Sequence, residues 1–201
     1  MLDPRRLCNR LDVAPLLLLI AVLTGCKVDS VNPISSFDST KPDTAIYGVW
    51  RYQDKDELSY IHIGPEFAVT DATGTGIRRT RIVVVDHKRN GLMDEAYVAV
   101  TSRVGNQRYL NVVQAEGATT VGYLFVRYTL VDRNTLRFAT VDEQALAAAI
   151  RAGRIKGATR GEGLSSQTVI TAESSEIESF LATEGRKLFA SPFVVRRVQA
   201  R

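Results

Sequence analysis

The sequence predicts a β-rich α+β fold, an antiparallel meander or barrel of about 7 to 9 strands with two helices toward the C-terminus. Three observations carry this. Seven short runs rich in β-branched and aromatic residues follow one another between Ile46 and Thr140, with Gly, Asn and Asp in the gaps. Both faces of several runs are apolar, which suits a closed or strongly curled sheet better than one with a bare face. After Thr140 the hydrophobic period changes from two toward 3.6.

The runs are Ile46 to Tyr52, Leu58 to Ile63, Arg79 to Val85, Ala96 to Val104, Arg108 to Gln114, Tyr123 to Val131 and Thr135 to Thr140. Gly105-Asn106 and Asp132-Arg133-Asn134 are short enough for hairpin turns and hold residues that tolerate positive φ. Asp142 can cap a helix over Glu143 to Arg151 that ends near Gly153. A second helix starts at Ser174 or Ser175, places Ile177, Phe180 and Leu181 on one face, and is expected to stop at Gly185. Thr168 to Thr171 and Phe193 to Val198 read as further strands. Gly153 to Gln167, with Gly157, Gly161 and Gly163, reads as a mobile loop.

The first 25 residues order a basic stretch (Arg5, Arg6, Arg10), an apolar run from Val13 to Leu23, and then Leu23-Thr24-Gly25-Cys26. The apolar run is too short for a spanning helix, so the segment reads as a cleaved export signal. Its last four residues resemble the lipobox of bacterial lipoproteins. The resemblance implies that Cys26 is the first mature residue and carries a diacylglyceryl group, often with a third acyl chain. Two or three chains suffice to hold a protein on a bilayer. Cys8 leaves with the signal, so the mature domain has no cysteine for a disulfide. Lys27 stands where Asp favours inner-membrane retention in enterobacteria-like lipoproteins. That similarity places the protein in the cell envelope, on the periplasmic leaflet of the outer membrane if the source is Gram-negative.

The expected organisation is therefore residues 1–25 as signal, 26–44 as a flexible tether, and 45–201 as one β-rich domain. The stretch from Lys27 to Thr44 is rich in Ser, Asp, Asn and Pro, and a flexible chain of that length spans about 20 to 25 Å. Removing three Arg and two Asp with the signal changes 26 basic and 22 acidic residues to 23 and 20, a net charge of +3.

Gly48-Val49-Trp50 in the first run resembles the GxW signature of lipocalins and related calycin barrels. The resemblance implies a Trp that closes the barrel base beneath an Arg from near the C-terminus. Arg196 and Arg197 are both placed to supply that cation.

Other motifs fall short of known chemistry. Asp86-His87-Lys88-Arg89-Asn90-Gly91 has the opening of a calcium loop, but Lys88 occupies a ligand position and Tyr97 replaces the bidentate Glu, so a hairpin at Asn90-Gly91 is expected. Asp94 and Glu95 are then strand-edge carboxylates. His62, Ser102, Ser165 and Ser166 lack the context of a nucleophile and base. Gly74-Thr75-Gly76 and Gly161-Glu162-Gly163 lack the remainder of a phosphate loop. Arg78, Arg79 and Arg81 form the densest basic cluster, and scattered charge elsewhere argues against nucleic acid as a partner. Two His and two Cys leave no spacing for a Cys/His metal site or a redox pair, so no metal and no cofactor are expected.

The expectation is a lipid-anchored envelope protein, not an enzyme, attached to the membrane through Cys26. Its domain is expected to bind a small apolar or lipid ligand. The alternative is a structural or assembly partner of another envelope protein.

Overall fold

The structure, a computed structural model, describes residues 27–35, 41–54, 57–66, 79–88, 91–114, 122–160 and 167–199. The chain enters through β1 (Lys27–Ser30) and a 3-10 turn (Thr44–Ile46). It continues through β2 (Gly48–Asp54), β3 (Glu57–Pro65), β4 (Thr80–Lys88), β5 (Gly91–Val104), β6 (Gln107–Gln114), β7 (Leu124–Asp132) and β8 (Thr135–Val141). Helix α1 (Glu143–Arg151), β9 (Gly157–Arg160), β10 (Gln167–Ile170) and α2 (Ser174–Leu188) follow, and β11 (Phe189–Arg197) closes the fold. All seven expected runs are strands.

Eight of the strands form a closed antiparallel barrel in the order β11-β2-β3-β4-β5-β6-β7-β8. Closure comes from β11, which pairs with β8 through Val195↔Leu136 and with β2 through Arg197↔Trp50. Alternation sorts each strand between two cores. Trp50, Ile61, Ile63, Ile82, Val84, Leu110, Leu136, Phe138 and Val195 fill the barrel interior. Tyr109, Phe125, Ala139 and Phe189 face outward from β6, β7, β8 and β11, and meet Leu146 of α1 and Ile177, Phe180 and Leu181 of α2. This second core is why both faces of these strands read as apolar.

The helices begin where the sequence places them. Asp142 accepts a hydrogen bond from the Ala145 amide at 3.0 Å, and the Ser174 hydroxyl donates to the Pro33 carbonyl at 2.7 Å. Helix α2 does not stop at Gly185 but runs to Leu188. Gly185 permits close packing instead: a Cβ there would lie 3.0 Å from the Tyr109 hydroxyl oxygen. The guanidinium of Arg127 stands 5.3 Å over the Phe189 ring just beyond it.

Two other expectations are corrected. Within the stretch read as a mobile loop, Gly157–Arg160 form β9, antiparallel to β10; residues 161–166 lie outside the described residues. The stretch read as a tether begins with β1, parallel to β10 in the three-stranded sheet β1-β10-β9. Ser30 also bridges to Tyr123 at the start of the barrel strand β7. Val28 and Ile34 are buried in the outer core, and the Ile34 amide donates to the Asn111 side chain at 2.7 Å. Composition suggested a spacer because only a few apolar residues are sprinkled among Ser, Asp and Asn, yet two of those few, Val28 and Ile34, dock, while Val31 stays exposed.

Candidate functional site: a barrel plugged at one end

Strands β2, β4, β6 and β8 leave from one end of the barrel, and β3, β5, β7 and β11 return to it. That end is plugged. Trp50 is fully buried, and its indole N–H donates to the Ile46 carbonyl at 2.8 Å, fastening the ring to the 3-10 turn. The Arg197 guanidinium carbon lies 4.1 Å from the Trp50 ring centroid, a cation–π stack. The same guanidinium donates from Nε to the Arg133 carbonyl and from Nη2 to the Ala45 carbonyl, each at 2.8 Å, and from Nη1 to the Tyr47 carbonyl. It thus ties the β7–β8 turn to the segment that precedes β2. Arg196 points the other way and donates to the Thr135 hydroxyl.

Gly48 belongs to this arrangement. Its φ is +136°, and a Cβ would stand 2.5 Å from Arg197 Nη1. The sequence singled out Trp50 and the two arginines but did not show that the glycine makes room for one of them. Asp43, which the sequence did not single out, completes the plug. Its Oδ1 accepts from the Ala45 amide at 3.2 Å, and its Oδ2 accepts from Arg108 Nη1 and the Tyr128 hydroxyl, both at 3.0 Å. Burial, followed by the neighbouring Asp43 charge, raises the Tyr128 phenol far above its usual range.

Beyond the plug the barrel is incompletely filled. Val84, Val112 and Val126 present short side chains toward its axis, and a cavity of about 60 Å³ remains. Its walls include Ile61, Leu110, Phe138 and Phe193, and toward the opposite end Val28, Leu124 and Val141. Thr140 and Tyr97 bring hydroxyls to an otherwise apolar lining. A void this size has room for a small apolar group, and such surroundings give water few partners.

The wall on the β2–β5 side changes character toward the same end. Tyr52, Ser59 and Asp86 sit side by side in register across β2, β3 and β4. The Ser59 hydroxyl donates to Asp86 Oδ1 at 2.5 Å, and Asp86 is 5% exposed. On β5 the Tyr97 hydroxyl donates to the Glu95 carboxylate. Tyr52 is 4% exposed, and its hydroxyl has no hydrogen-bond partner among the described residues. Burial, then the charges of Asp54 and Glu57, push its phenol up to about 12. Tyr97 is raised further by burial, its bond to Glu95, and the Glu95 and Asp86 charges. Strands β4 and β5 are joined as a hairpin, but its turn is not Asn90-Gly91: Gly91 is already the first residue of β5 and pairs with Lys88, while residues 89–90 lie outside the described residues. The parity of Asp86 with Ile82 and Val84 was the available signal that it faces the barrel interior.

The remaining candidates do not converge. His62 is exposed on the outer face of β3, whereas Ser102 is buried on β5 and accepts from Asn111 Nδ2 at 2.8 Å. Arg81 is an exposed residue of β4 that lies 4.0 Å from Glu66. Cys26, Arg78, Ser165, Ser166, Gly74-Thr75-Gly76 and Gly161-Glu162-Gly163 lie outside the described residues. Among the described residues no group of His, Cys, Asp and Glu is arranged to hold a metal. No helix among them is long and apolar enough to cross a membrane.

Fold and site together define a closed eight-stranded antiparallel barrel with a Trp–Arg plug at one end and an apolar interior cavity. No family model matches the chain, and neither a curated protein nor a solved structure does so.

Proposed function

We propose that this protein is a lipid-anchored binding protein of the bacterial envelope, whose barrel holds a small apolar or lipidic ligand. The cavity carries the reading: it sits inside a barrel closed at one end, and its lining is apolar apart from Tyr97 and Thr140. The anchor rests on the lipobox-like Leu23-Thr24-Gly25-Cys26 and on the order of charged and apolar segments before it. Attachment through Cys26 on the periplasmic leaflet of an outer membrane would keep the barrel beside a supply of apolar ligands.

Native mass spectrometry of the exported chain carrying Cys26→Ser, purified without detergent, tests the ligand reading. A bound species of defined mass is expected, and Val126→Phe, which fills the cavity, should abolish it. A barrel that is empty as isolated, and remains so after incubation with a lipid extract, would overturn the proposal. A second reading, an assembly partner of another envelope protein, is favoured by Leu92 and Met93. They are 67% and 49% exposed at the start of β5, on opposite faces of the strand, with Leu92 on the outer face beside His87. Crosslinking from position 92 in intact envelopes would capture that partner.

A further inference from the structure

The polar row beside the cavity has features that a purely apolar pocket does not need. Asp86 is almost fully buried, and among the described residues a single neutral hydroxyl donates to it. Among the described residues neither Asp86 nor Glu95 belongs to an ion pair. A buried carboxylate that meets no cation among the described residues favours a partner that is a cation with several donors. Tyr52 adds an independent sign: its side chain is buried, yet its hydroxyl meets no partner among the described residues. A buried polar atom left open in this way marks a place where a partner is missing.

This row and the apolar cavity are continuous. Tyr97 lines the cavity and donates to Glu95. Phe193 lines it too and packs edge-on against the Tyr52 ring, with centroids 5.9 Å apart. Val84 faces the cavity two residues before Asp86 on the same strand face.

Building on the ligand-binding reading above, we propose that the barrel selects a primary amine. Its hydrocarbon part lies in the cavity, and its ammonium group donates to the Asp86 and Glu95 carboxylates and the Tyr52 hydroxyl oxygen. An ammonium offers three donors and no acceptor, which matches a site of oxygen atoms. A carboxylate or phosphate head would instead face two like charges. A metal ion is a poorer match, because the row offers two carboxylates and no third His, Cys, Asp or Glu converges on them among the described residues.

Calorimetric titration of the full-length Cys26→Ser chain near neutral pH with n-hexylammonium, n-hexanol and n-hexanoate tests this. Hexylammonium should bind at least about tenfold more tightly than hexanol, the equivalent of one well-made charged contact, and hexanoate should not bind detectably. Asp86→Asn, which can still accept from Ser59, should erase the preference while leaving hexanol binding unchanged. Tyr52→Phe should weaken only the amine. Should Asp86→Asn fail to fold, Glu95→Gln serves in its place. Equal binding of hexanol and hexylammonium, or a preference that survives both carboxylate substitutions, would overturn the amine assignment and leave the cavity reading standing. Failure of all three probes to bind would overturn both.

Discussion

The backbone amide of Ile34 and the side-chain oxygen of Asn111, 77 residues apart, share a 2.7 Å hydrogen bond in the interior of the protein. Asn111 is fully buried, and its amide nitrogen also donates to the Val100 carbonyl and the Ser102 hydroxyl. One side chain therefore fastens the entering segment to the outer faces of β5 and β6. Replacing Asn111 with Ala leaves the buried Ile34 N–H without an acceptor. The expected loss is about 3 kcal/mol, read from chemical denaturation of the variant against the parent.

The docking of β1 makes the N-terminal boundary of the domain testable. A chain beginning at residue 45 loses β1 together with the buried side chains of Val28 and Ile34. Each apolar side chain is worth roughly 1.5 to 3 kcal/mol when buried. A chain beginning at residue 27 should therefore melt well above one beginning at residue 45. Coincident melting curves would show the segment to be energetically idle.

At the plug, three substitutions should act through different physics. Trp50→Ala empties the base of the barrel and should cost about 3 to 5 kcal/mol. Arg197→Met keeps much of the contact area over the indole but removes three hydrogen bonds and the cation, an expected loss of about 2 to 3 kcal/mol. Gly48→Ala strains a positive φ and collides with Arg197, so it should destabilise the parent more than the Arg197→Met background, where the collision is relieved and the φ strain remains. A double-mutant cycle measured by thermal melting reads that coupling.

Alkaline pH should reveal the buried phenols. Tyr52, with its folded-state value raised to about 12, favours the neutral form when folded. Its contribution is fully present below the ordinary value near 10 and is lost as pH rises through about 12. Tyr97, Tyr109 and Tyr128 are shifted in the same direction, each first by burial. Phenolate absorbance should lag behind that of the unfolded chain and then appear together with loss of structure. Tyr52→Phe should move that transition to higher pH.

The strands were legible because β-branched and aromatic residues alternate between turn residues over short, regular distances. Gly105, with φ of +56°, and the Asp132 carboxylate accepting from the Asn134 amide at 2.7 Å carry out the turn chemistry that the sequence advertises. What stayed hidden depends on distant pairing. Nothing near Lys27–Ser30 announces a parallel partner 140 residues later at Gln167–Ile170. Helix α2 passes through Gly185 because Tyr109 of the barrel approaches it there, a fact of packing rather than of local propensity. For the site, Trp50 carried a recognisable pattern. Tyr52, Ser59 and Asp86 come from three strands and meet only once register is known.

Because β1 begins at Lys27, an acyl group on Cys26 would be separated from ordered structure by one peptide bond, and Val28 already belongs to the cavity wall. Such an anchor would be a pivot rather than a leash. It would restrict the angles at which the barrel can stand on the bilayer and hold the Val28 side of the cavity against the headgroups. A hydrocarbon molecule leaving the membrane would then meet the cavity wall at Val28 close to the bilayer, sparing it a long passage through bulk water.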